Sequence, residues 1–316
     1  MAGVLRRDVG AVVVGAPEHF CRRLAVLLFA CLCLAGRAES VTVATYNIQN
    51  YGPADRMTEA GYRTDYPKPE NEKRALRAVL VALNADILVL QEMGGPAYLE
   101  ELRRDLKSAG LDYPHSALAL AADPDRHVAL LSKIAPREVR THADLEFPYF
   151  GAREKVKRGV LEASFALAGG EIRIFAVHLK SRLAERDDDP LSAKRRGAEA
   201  TAVRDLVLRR FPRPSESRFI ILGDCNDGRT SRPLAYLQKR GSTEIARLLP
   251  ASDSRSENWT YHYAKEETYS RVDHILVSPA LLPAVRDGSA RIYDGPDVAR
   301  ASDHRPVLIV LEPVKI

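Results

Sequence analysis

The sequence predicts an α/β fold in which buried strands form layered sheets covered by helices. Two apolar segments, residues 41–46 and 86–91, have the length and composition of buried strands. A helix is predicted between them, because Pro69 suits its first turn and Asn84 can adopt the left-handed conformation that ends it. Residues at three- and four-residue spacing form one apolar stripe on this helix: Ala75, Leu76, Val79, Leu80 and Leu83. Strands that alternate with an amphipathic helix are typical of layered α/β domains.

The same alternation continues towards the C-terminus. An amphipathic helix is predicted at residues 198–210. Further strands are predicted at residues 172–178, 219–223, 272–277 and 307–311. Because neither a low-complexity linker nor an internal repeat interrupts residues 39–316, we expect one domain there.

The N-terminal segment has the successive zones of a signal peptide. Arginines precede the apolar run 24–34, and small residues follow it up to Ala38. This order predicts that residues 1–38 are a cleaved signal peptide and that residues 39–316 are secreted or periplasmic. The run is shorter than the roughly 20 apolar residues of a transmembrane helix, and no later segment is longer, so we expect no stable membrane anchor. The alternatives for the leader are an ordinary N-terminal helix and a lipid-attachment site.

Removal of the leader leaves a chain that is close to neutral. The full sequence has 47 basic and 42 acidic residues, and residues 1–38 hold five arginines and two acidic residues. Residues 39–316 therefore carry 42 basic against 40 acidic side chains. A polyanionic substrate must then be bound by local basic clusters rather than by net charge. Only Cys225 of the four cysteines lies beyond residue 38, which excludes an intramolecular disulfide there, and we expect a monomer.

Polar residues recur where the predicted strands end. Ligands of open α/β sheets bind at strand ends, so these side chains are expected to converge on one cleft. Oxygen donors with imidazole and without thiolates suit Mg²⁺ or Mn²⁺. The residues are Asn47, Glu92, His178, Asp224, Asn226, Asp273, Asp303 and His304.

Six short motifs contain these residues in order along the chain. They are Tyr46-Asn47-Ile48, Gln91-Glu92, His178-Leu179, Gly223-Asp224-Cys225-Asn226, Arg271-Val272-Asp273 and Ser302-Asp303-His304. The series resembles the endonuclease/exonuclease/phosphatase (DNase I-like) family, including its secreted bacterial nuclease members, over nearly all of residues 39–316. The resemblance implies a four-layer α/β sandwich with two packed mixed β-sheets flanked by helices.

The resemblance also implies a metal site. Glu92 is similar to the main metal carboxylate of the family, with Asn47 beside it and Asp303 as a further metal or water ligand. The expected cofactor is Mg²⁺, with Mn²⁺ or Ca²⁺ as alternatives. A cation held there would polarise a phosphoryl oxygen.

The catalytic roles that the resemblance implies centre on His304. His304 resembles a general base that is oriented by Asp273 and accepts a proton from the attacking water. Asp224 would orient the nucleophile or protonate the leaving oxygen, and Asn226 would donate hydrogen bonds to the phosphate. His178 would contact phosphoryl oxygens or act as the acid, and Asp125 is the nearest candidate for its acidic partner.

Basic and aromatic segments bear on the substrate. Arg158, Lys180 and Arg182 are candidate phosphate contacts, although the acidic residues near the latter two leave a solvated mixed-charge loop as the alternative. The aromatic run 259–263 could stack on bases or pack a sheet core. These features favour a DNA or RNA substrate. His274 alternates with Asp273, so its side chain is expected on the opposite face of the strand.

Two other functions stay open at this stage. A phosphodiesterase or phosphatase that acts on a lipid headgroup or a small phosphate ester is compatible with the near-neutral charge. A lipid-directed enzyme would need an exposed apolar hairpin, and the sequence shows none clearly. A binding module that has lost catalysis is disfavoured, because every expected catalytic position is occupied.

Overall fold

The computed structural model describes residues 40–58 and 60–313. The predicted signal peptide, residues 1–38, lies outside the described residues. Among the helices described, none is long and apolar enough to span a membrane.

The first of two six-stranded mixed sheets contains the N-terminal strand. Its central pair, β1 and β4, is parallel, and every other neighbouring pair is antiparallel. In spatial order the strands are β19 (Arg291–Ile292), β20 (Val307–Leu311), β1 (Val41–Tyr51), β4 (Ile87–Met93), β6 (His127–Ser132) and β5 (His115–Ala119).

The second sheet repeats this arrangement. Its central pair, β11 and β12, is parallel, and its other neighbouring pairs are antiparallel. In spatial order the strands are β15 (Arg247–Leu248), β18 (Asp273–Val277), β12 (Phe219–Asp224), β11 (Gly170–His178), β10 (Val160–Leu167) and β7 (Pro136–Thr141).

Four two-stranded hairpins and five helices complete the described chain. The hairpins are β2 (Ala54–Thr58) with β3 (Gly61–Tyr66), β8 (Glu146–Tyr149) with β9 (Ala152–Lys155), β13 (Lys239–Arg240) with β14 (Thr243–Glu244), and β16 (Tyr261–Tyr263) with β17 (Thr268–Ser270). The helices are α1 (Glu70–Leu83), α2 (Pro96–Ser108), α3 (Ala193–Arg210), α4 (Arg232–Gln238) and α5 (Val298–Ala301), with 3₁₀ turns at Pro214–Glu216 and Leu282–Ala284.

The two sheets pack face to face, and helices cover their outer faces. Apolar side chains from both sheets form one core between them, including Val43, Ile174 and Ile275. A second core joins the first sheet to α1 and α2, and a third joins the second sheet to α3 and α4. The four-layer α/β sandwich with two mixed sheets is therefore confirmed. The predicted first helix ends at Asn84, which is left-handed with φ of 46°.

Strand alternation explains why polar residues collect at one edge of the inter-sheet core. In β12, Ile220 and Leu222 face that core, and Asp224 is the next residue on the same face. In β18, which runs antiparallel to β12, Asp273 precedes the core residue Ile275 on the same face. The apolar layer therefore ends in a layer of polar side chains where the parallel pairs terminate.

Candidate active site

Asn47 connects the polar ends of the two sheets. Its Nδ2 donates to Asp224 Oδ2 at 2.9 Å and lies 3.4 Å from Glu92 Oε1. Asn47 and Asp224 are almost fully buried, and Glu92 is partly exposed. The metal and catalytic residues predicted from separate motifs thus meet at one point.

The glycine before Asp224 is required by the close approach of β11. Gly223 has φ of 142°, and a Cβ at this position would lie 1.9 Å from Val177 O. The register pairs Gly223 with Val177 and Asp224 with His178. A larger residue would push the two parallel strands apart and separate the Asp224 and His178 side chains.

Asp273 and His304 form a buried hydrogen-bonded pair. His304 Nδ1 lies 2.8 Å from Asp273 Oδ2, and His304 Nε2 lies 4.0 Å from Asp224 Oδ2. Burial lowers the pKa of His304, but the charge and hydrogen bond of Asp273 outweigh it and raise that pKa to about 10. Asp273 thus stabilises the imidazolium form, as expected of a residue that orients a catalytic histidine.

Backbone contacts hold both partners of this pair in place. Thr260 Oγ1 accepts a hydrogen bond from Asp273 N at 3.1 Å. Ser302 Oγ accepts one from His304 N at 3.0 Å and donates to Asn47 O at 2.8 Å. Ser302 therefore fixes the His304 segment to β1 at Asn47.

The pKa of the Asp224 carboxyl lies above that of an ordinary aspartate. Burial, followed by the charge of Asp273, raises its pKa to about 7, against the opposing effect of His304. The raised pKa favours the protonated form of Asp224 more than in an ordinary aspartate. Asp224 can therefore either donate or accept a proton at the site.

Asn226 lies in the site but directs its amide into the protein. It has a left-handed φ of 52°, and its backbone N donates to Asp224 Oδ1 at 2.8 Å. Its Nδ2 donates to Leu179 O at 2.9 Å and to Asp224 Oδ2 at 3.2 Å. In this geometry Asn226 positions Asp224, and its predicted donation to a phosphate would require these bonds to change.

His178 faces the same carboxylates from β11. Its Nε2 lies 3.5 Å from Asp224 Oδ2 and 4.0 Å from Glu92 Oε1, while Nδ1 has no hydrogen-bond partner among the described residues. Burial and then the charge of Arg158 lower the pKa of His178, which favours the neutral ring.

The prediction that Asp125 is the acidic partner of His178 is wrong. Asp125 is exposed, and no hydrogen bond or ion pair joins it to His178 in the described structure. The nearby acidic residue that is buried is Asp123, whose Oδ2 lies 2.9 Å from Arg158 Nε. Asp123 Oδ1 also accepts a hydrogen bond from the backbone N of Asp125 at 3.2 Å. In this loop conformation the Asp125 side chain is exposed to solvent.

The donor set fits a divalent cation. In the part of the chain that the structure describes, no lysine or arginine forms an ion pair with Glu92, Asp224 or Asp303. Burial raises the pKa of Asp303, as does the charge of Glu92, although His304 opposes this. Converging carboxylates of this kind are stabilised by a cation with oxygen preference.

Two groups of side chains could contribute ligands to such a cation. The set predicted from the sequence consists of Glu92, Asn47 and Asp303. In this set, Glu92 Oε2 also accepts a hydrogen bond from Asn50 N at 2.9 Å. Asp224, Asp273 and His304 place donor atoms within 4.8 Å of one another, a possible cation site that sequence reasoning did not assign to metal. The hydrogen bond within the Asp273–His304 pair already uses one donor atom of each residue.

The three predicted phosphate contacts differ in accessibility. Arg158 is buried beside Asp123. Lys180 is also buried, and its Nζ donates to Leu183 O at 2.7 Å and to Ser181 Oγ at 3.2 Å, so its charge is used within its own loop. The side chain of Arg182 is 52% exposed and lies 3.7 Å from Asp227 Oδ1. Of these three predicted contacts, Arg182 alone has an exposed charged group.

Sequence reasoning missed residues that surround the Glu92 side of the site. Arg126 Nε donates to Asn50 Oδ1 at 2.7 Å, directly behind the Glu92 contact. Lys68 Nζ donates to Gln49 O at 3.2 Å and pairs with Glu72. They belong to no motif, and their approach to the site depends on how loops fold. Tyr261, whose ring lies 4.7 Å from that of His304, was signalled only by the aromatic run.

Comparison with known proteins places these features in a family. A sequence model of the Endonuclease/Exonuclease/phosphatase family matches residues 44–304. The chain belongs to this family. Its members are metal-dependent phosphodiesterases and other hydrolases, which confirms the predicted class of enzyme at the family level. None of the curated proteins matches the sequence.

Solved structures share the fold at low sequence identity. The human Nocturnin catalytic domain has a TM-score of 0.60 and 17% identity, covering 86% of this chain and 93% of that chain. Sphingomyelinase C from Streptomyces griseocarneus has a TM-score of 0.55 and 17% identity, covering 87% and 100%. The 3'-5' exonuclease NExo from Neisseria meningitidis has a TM-score of 0.52 and 18% identity, covering 86% and 100%. At these identities the likeness shows the fold alone.

Proposed function

We propose that this protein is a secreted phosphodiesterase that cleaves DNA or RNA by attack of water on phosphorus. The observation that carries the hydrolytic part is the buried Asp273–His304 pair, with His304 Nε2 aimed towards Asp224 beside Glu92 and Asn47. An acid, a base and a carboxylate cation site within a few ångströms of one another match the needs of phosphodiester hydrolysis.

In the proposed reaction, His304 accepts a proton from the attacking water and Asp273 holds the imidazole. His304 must be neutral to do so, which requires its pKa to fall when the carboxylate charge around it is neutralised. Asp224, with a pKa of about 7, can protonate the leaving oxygen. His178 hydrogen-bonds a phosphoryl oxygen through Nε2. A divalent cation, when bound by Glu92, Asn47 and Asp303, would supply Lewis-acid polarisation of the phosphate.

A nucleic-acid substrate is supported by the basic side chains around the site. Arg182 is exposed near Asp227, and Arg126 lies partly exposed behind Glu92. Tyr263 and Tyr269 of the β16–β17 hairpin are exposed rather than buried in a sheet core, so they are available for base stacking. One structural neighbour is described as a 3'-5' exonuclease.

A lipid-headgroup phosphodiesterase is the second candidate, because the structure has exposed apolar side chains on a hairpin that the sequence did not clearly show. The β2–β3 hairpin exposes Met57, Tyr62 and Tyr66, whose relative residue exposures are 77%, 60% and 40%. Met57 and Tyr62 are directly paired across the hairpin. Exposed apolar and aromatic residues of this kind suit insertion at a membrane interface. One structural neighbour is described as a sphingomyelinase C.

A cation-by-substrate panel separates the two functions. Plasmid DNA, RNA, bis-p-nitrophenyl phosphate and sphingomyelin vesicles would each be tested with Mg²⁺, Mn²⁺, Ca²⁺ or EDTA. A nuclease cleaves the nucleic acids and loses affinity steeply with added salt. A lipid-directed enzyme prefers vesicles and loses that preference in a Met57→Ser/Tyr62→Ser variant, which should leave hydrolysis of the small diester unchanged.

Export through the predicted signal peptide and the monomeric state are parts of the same proposal. Expression of the full chain in a bacterial host should release a protein whose N-terminus is Glu39, as identified by N-terminal sequencing. A product that retains residues 1–38 in the cytoplasm would contradict export. Light scattering of the released protein should give the mass of one chain.

A further inference from the structure

Tyr261 is joined by its backbone to the segment that carries His304. Tyr261 and His304 form an isolated antiparallel bridge. On either side of the bridge, His262 N donates to Asp303 O at 2.9 Å, and Arg305 N donates to Thr260 O at 2.7 Å. The position of Tyr261 relative to the catalytic segment is therefore fixed by main-chain contacts.

The β16–β17 hairpin directs Tyr261 towards the site by strand alternation. His262 stacks on Tyr269, with ring centroids 4.4 Å apart and planes 10° apart. Tyr261 and Tyr263 lie on the other face, where their rings stack at 6.4 Å. On this face the Tyr261 ring lies 4.7 Å from the His304 ring, with planes 39° apart.

The Tyr261 hydroxyl is a neutral donor in a strongly anionic environment. Burial raises the pKa of Tyr261 to about 12, with further contributions from the charges of Asp303, Tyr263, Asp224 and Glu92. A tyrosine phenol, with an ordinary pKa of about 10, keeps its proton at neutral pH without any such shift. Tyr261 is only partly buried, and no hydrogen bond of its hydroxyl to a described residue contributes to this shift.

We propose that the Tyr261 hydroxyl donates a hydrogen bond to a non-bridging oxygen of the scissile phosphate and is a further catalytic residue. The inference rests on the proposed phosphodiester hydrolysis. A donor fixed beside His304 can stabilise the charge that develops on the phosphoryl oxygens as water attacks. Because the hydroxyl carries no charge, it adds this stabilisation without competing with the imidazolium for Asp273.

Tyr261→Phe tests this role, because it removes only the hydroxyl and keeps the ring against His304. Tyr236→Phe, in helix α4 on the outer side of the second sheet, is the matched control. The substrate is bis-p-nitrophenyl phosphate, which has no bases to stack. A hydrogen bond to a charged group contributes about 1.5–3 kcal/mol, so we expect kcat to fall about 10- to 100-fold in Tyr261→Phe with KM within about 2-fold. Tyr236→Phe should keep kcat within about 2-fold.

A purely structural role for the ring gives a different pattern. Tyr261→Phe would then retain full kcat while Tyr261→Leu loses activity and shifts the His304 imidazole NMR signals, and the inference would be overturned. His304→Ala, measured on the same substrate, separates this failure from that of the proposed function. An active wild type, an inactive His304→Ala and a fully active Tyr261→Phe refute the Tyr261 role alone. An inactive wild type with every cation refutes the proposed function and, with it, this inference.

Discussion

Replacement of Asp273 by asparagine removes one charge from the buried pair and leaves its size unchanged. Asp273 is fully buried, and its Oδ2 lies 2.8 Å from His304 Nδ1. An asparagine amide at this position can present N–H to Nδ1 and stabilise the tautomer that cannot accept a proton from the attacking water. Positioned proton transfer contributes roughly 10²- to 10⁴-fold to rate, so kcat of Asp273→Asn should fall by about that factor.

A double-mutant cycle shows whether the two residues act as one unit. We expect His304→Ala to lose a similar factor and the Asp273→Asn/His304→Ala double variant to be no slower than His304→Ala alone. The assay is kcat for bis-p-nitrophenyl phosphate, with the surface variant Asp287→Asn as control and thermal unfolding as the check on folding. Multiplicative losses in the double variant, or retention of more than about a tenth of wild-type kcat in Asp273→Asn, would refute the pairing argument.

Three further predictions concern the fold, the cation site and acid stability. Gly223→Ala should fail to give folded protein in a thermal melt, because its Cβ would meet Val177 O at 1.9 Å, whereas Gly228→Ala, with open space around its Cβ, should fold normally. Glu92→Gln should lower the apparent Mg²⁺ affinity in isothermal titration, and unchanged affinity would exclude Glu92 as a ligand. Burial raises the pKa of Glu162, but hydrogen bonds from basic side chains lower it to about 2. The contribution of the Glu162 carboxylate to the free energy of unfolding is therefore full above pH 4.5 and is lost as the pH falls towards 2. Glu162→Gln should lower the free energy of unfolding by about 3 kcal/mol at pH 7 and by progressively less in acid. Urea denaturation at several pH values would measure this difference.

Much of the site could be predicted because it follows from strand periodicity. Asp273 and His274 occupy successive positions of one strand, so the sequence alone places them on opposite faces, and His274 Nε2 indeed bonds Asp227 O at 2.8 Å on the outer side. Likewise, Asp224 continues the inward face of Ile220 and Leu222. Local pattern determines side-chain direction in a strand, whereas the assignment of eight polar residues to one cleft rested on their positions at or after strand ends.

The features that were missed depend on loop conformation. Lys180 follows His178 by two residues, but its backbone N donates to Glu199 Oε2 of helix α3 at 2.7 Å, and its Nζ donates to Leu183 O of its own loop at 2.7 Å. Composition could not show whether the Lys180 amine points into the cleft or binds backbone carbonyl groups of its own loop. Similarly, Arg126 reaches Asn50 across 76 residues of sequence. No periodic signal encodes such contacts, because they depend on where separate loops meet in three dimensions.

We propose that one cleft hydrolyses a phosphodiester with a divalent cation. Its residues are Asn47, Glu92, His178, Asp224, Asp273, Asp303 and His304. The most direct measurement is turnover of bis-p-nitrophenyl phosphate by wild type and His304→Ala, each with Mg²⁺ or Mn²⁺ and with EDTA. We expect turnover by the wild type that EDTA abolishes and a loss of about 10²-fold or more in a folded His304→Ala variant. Equal rates for the two proteins, or a wild-type rate that EDTA does not change, would contradict it.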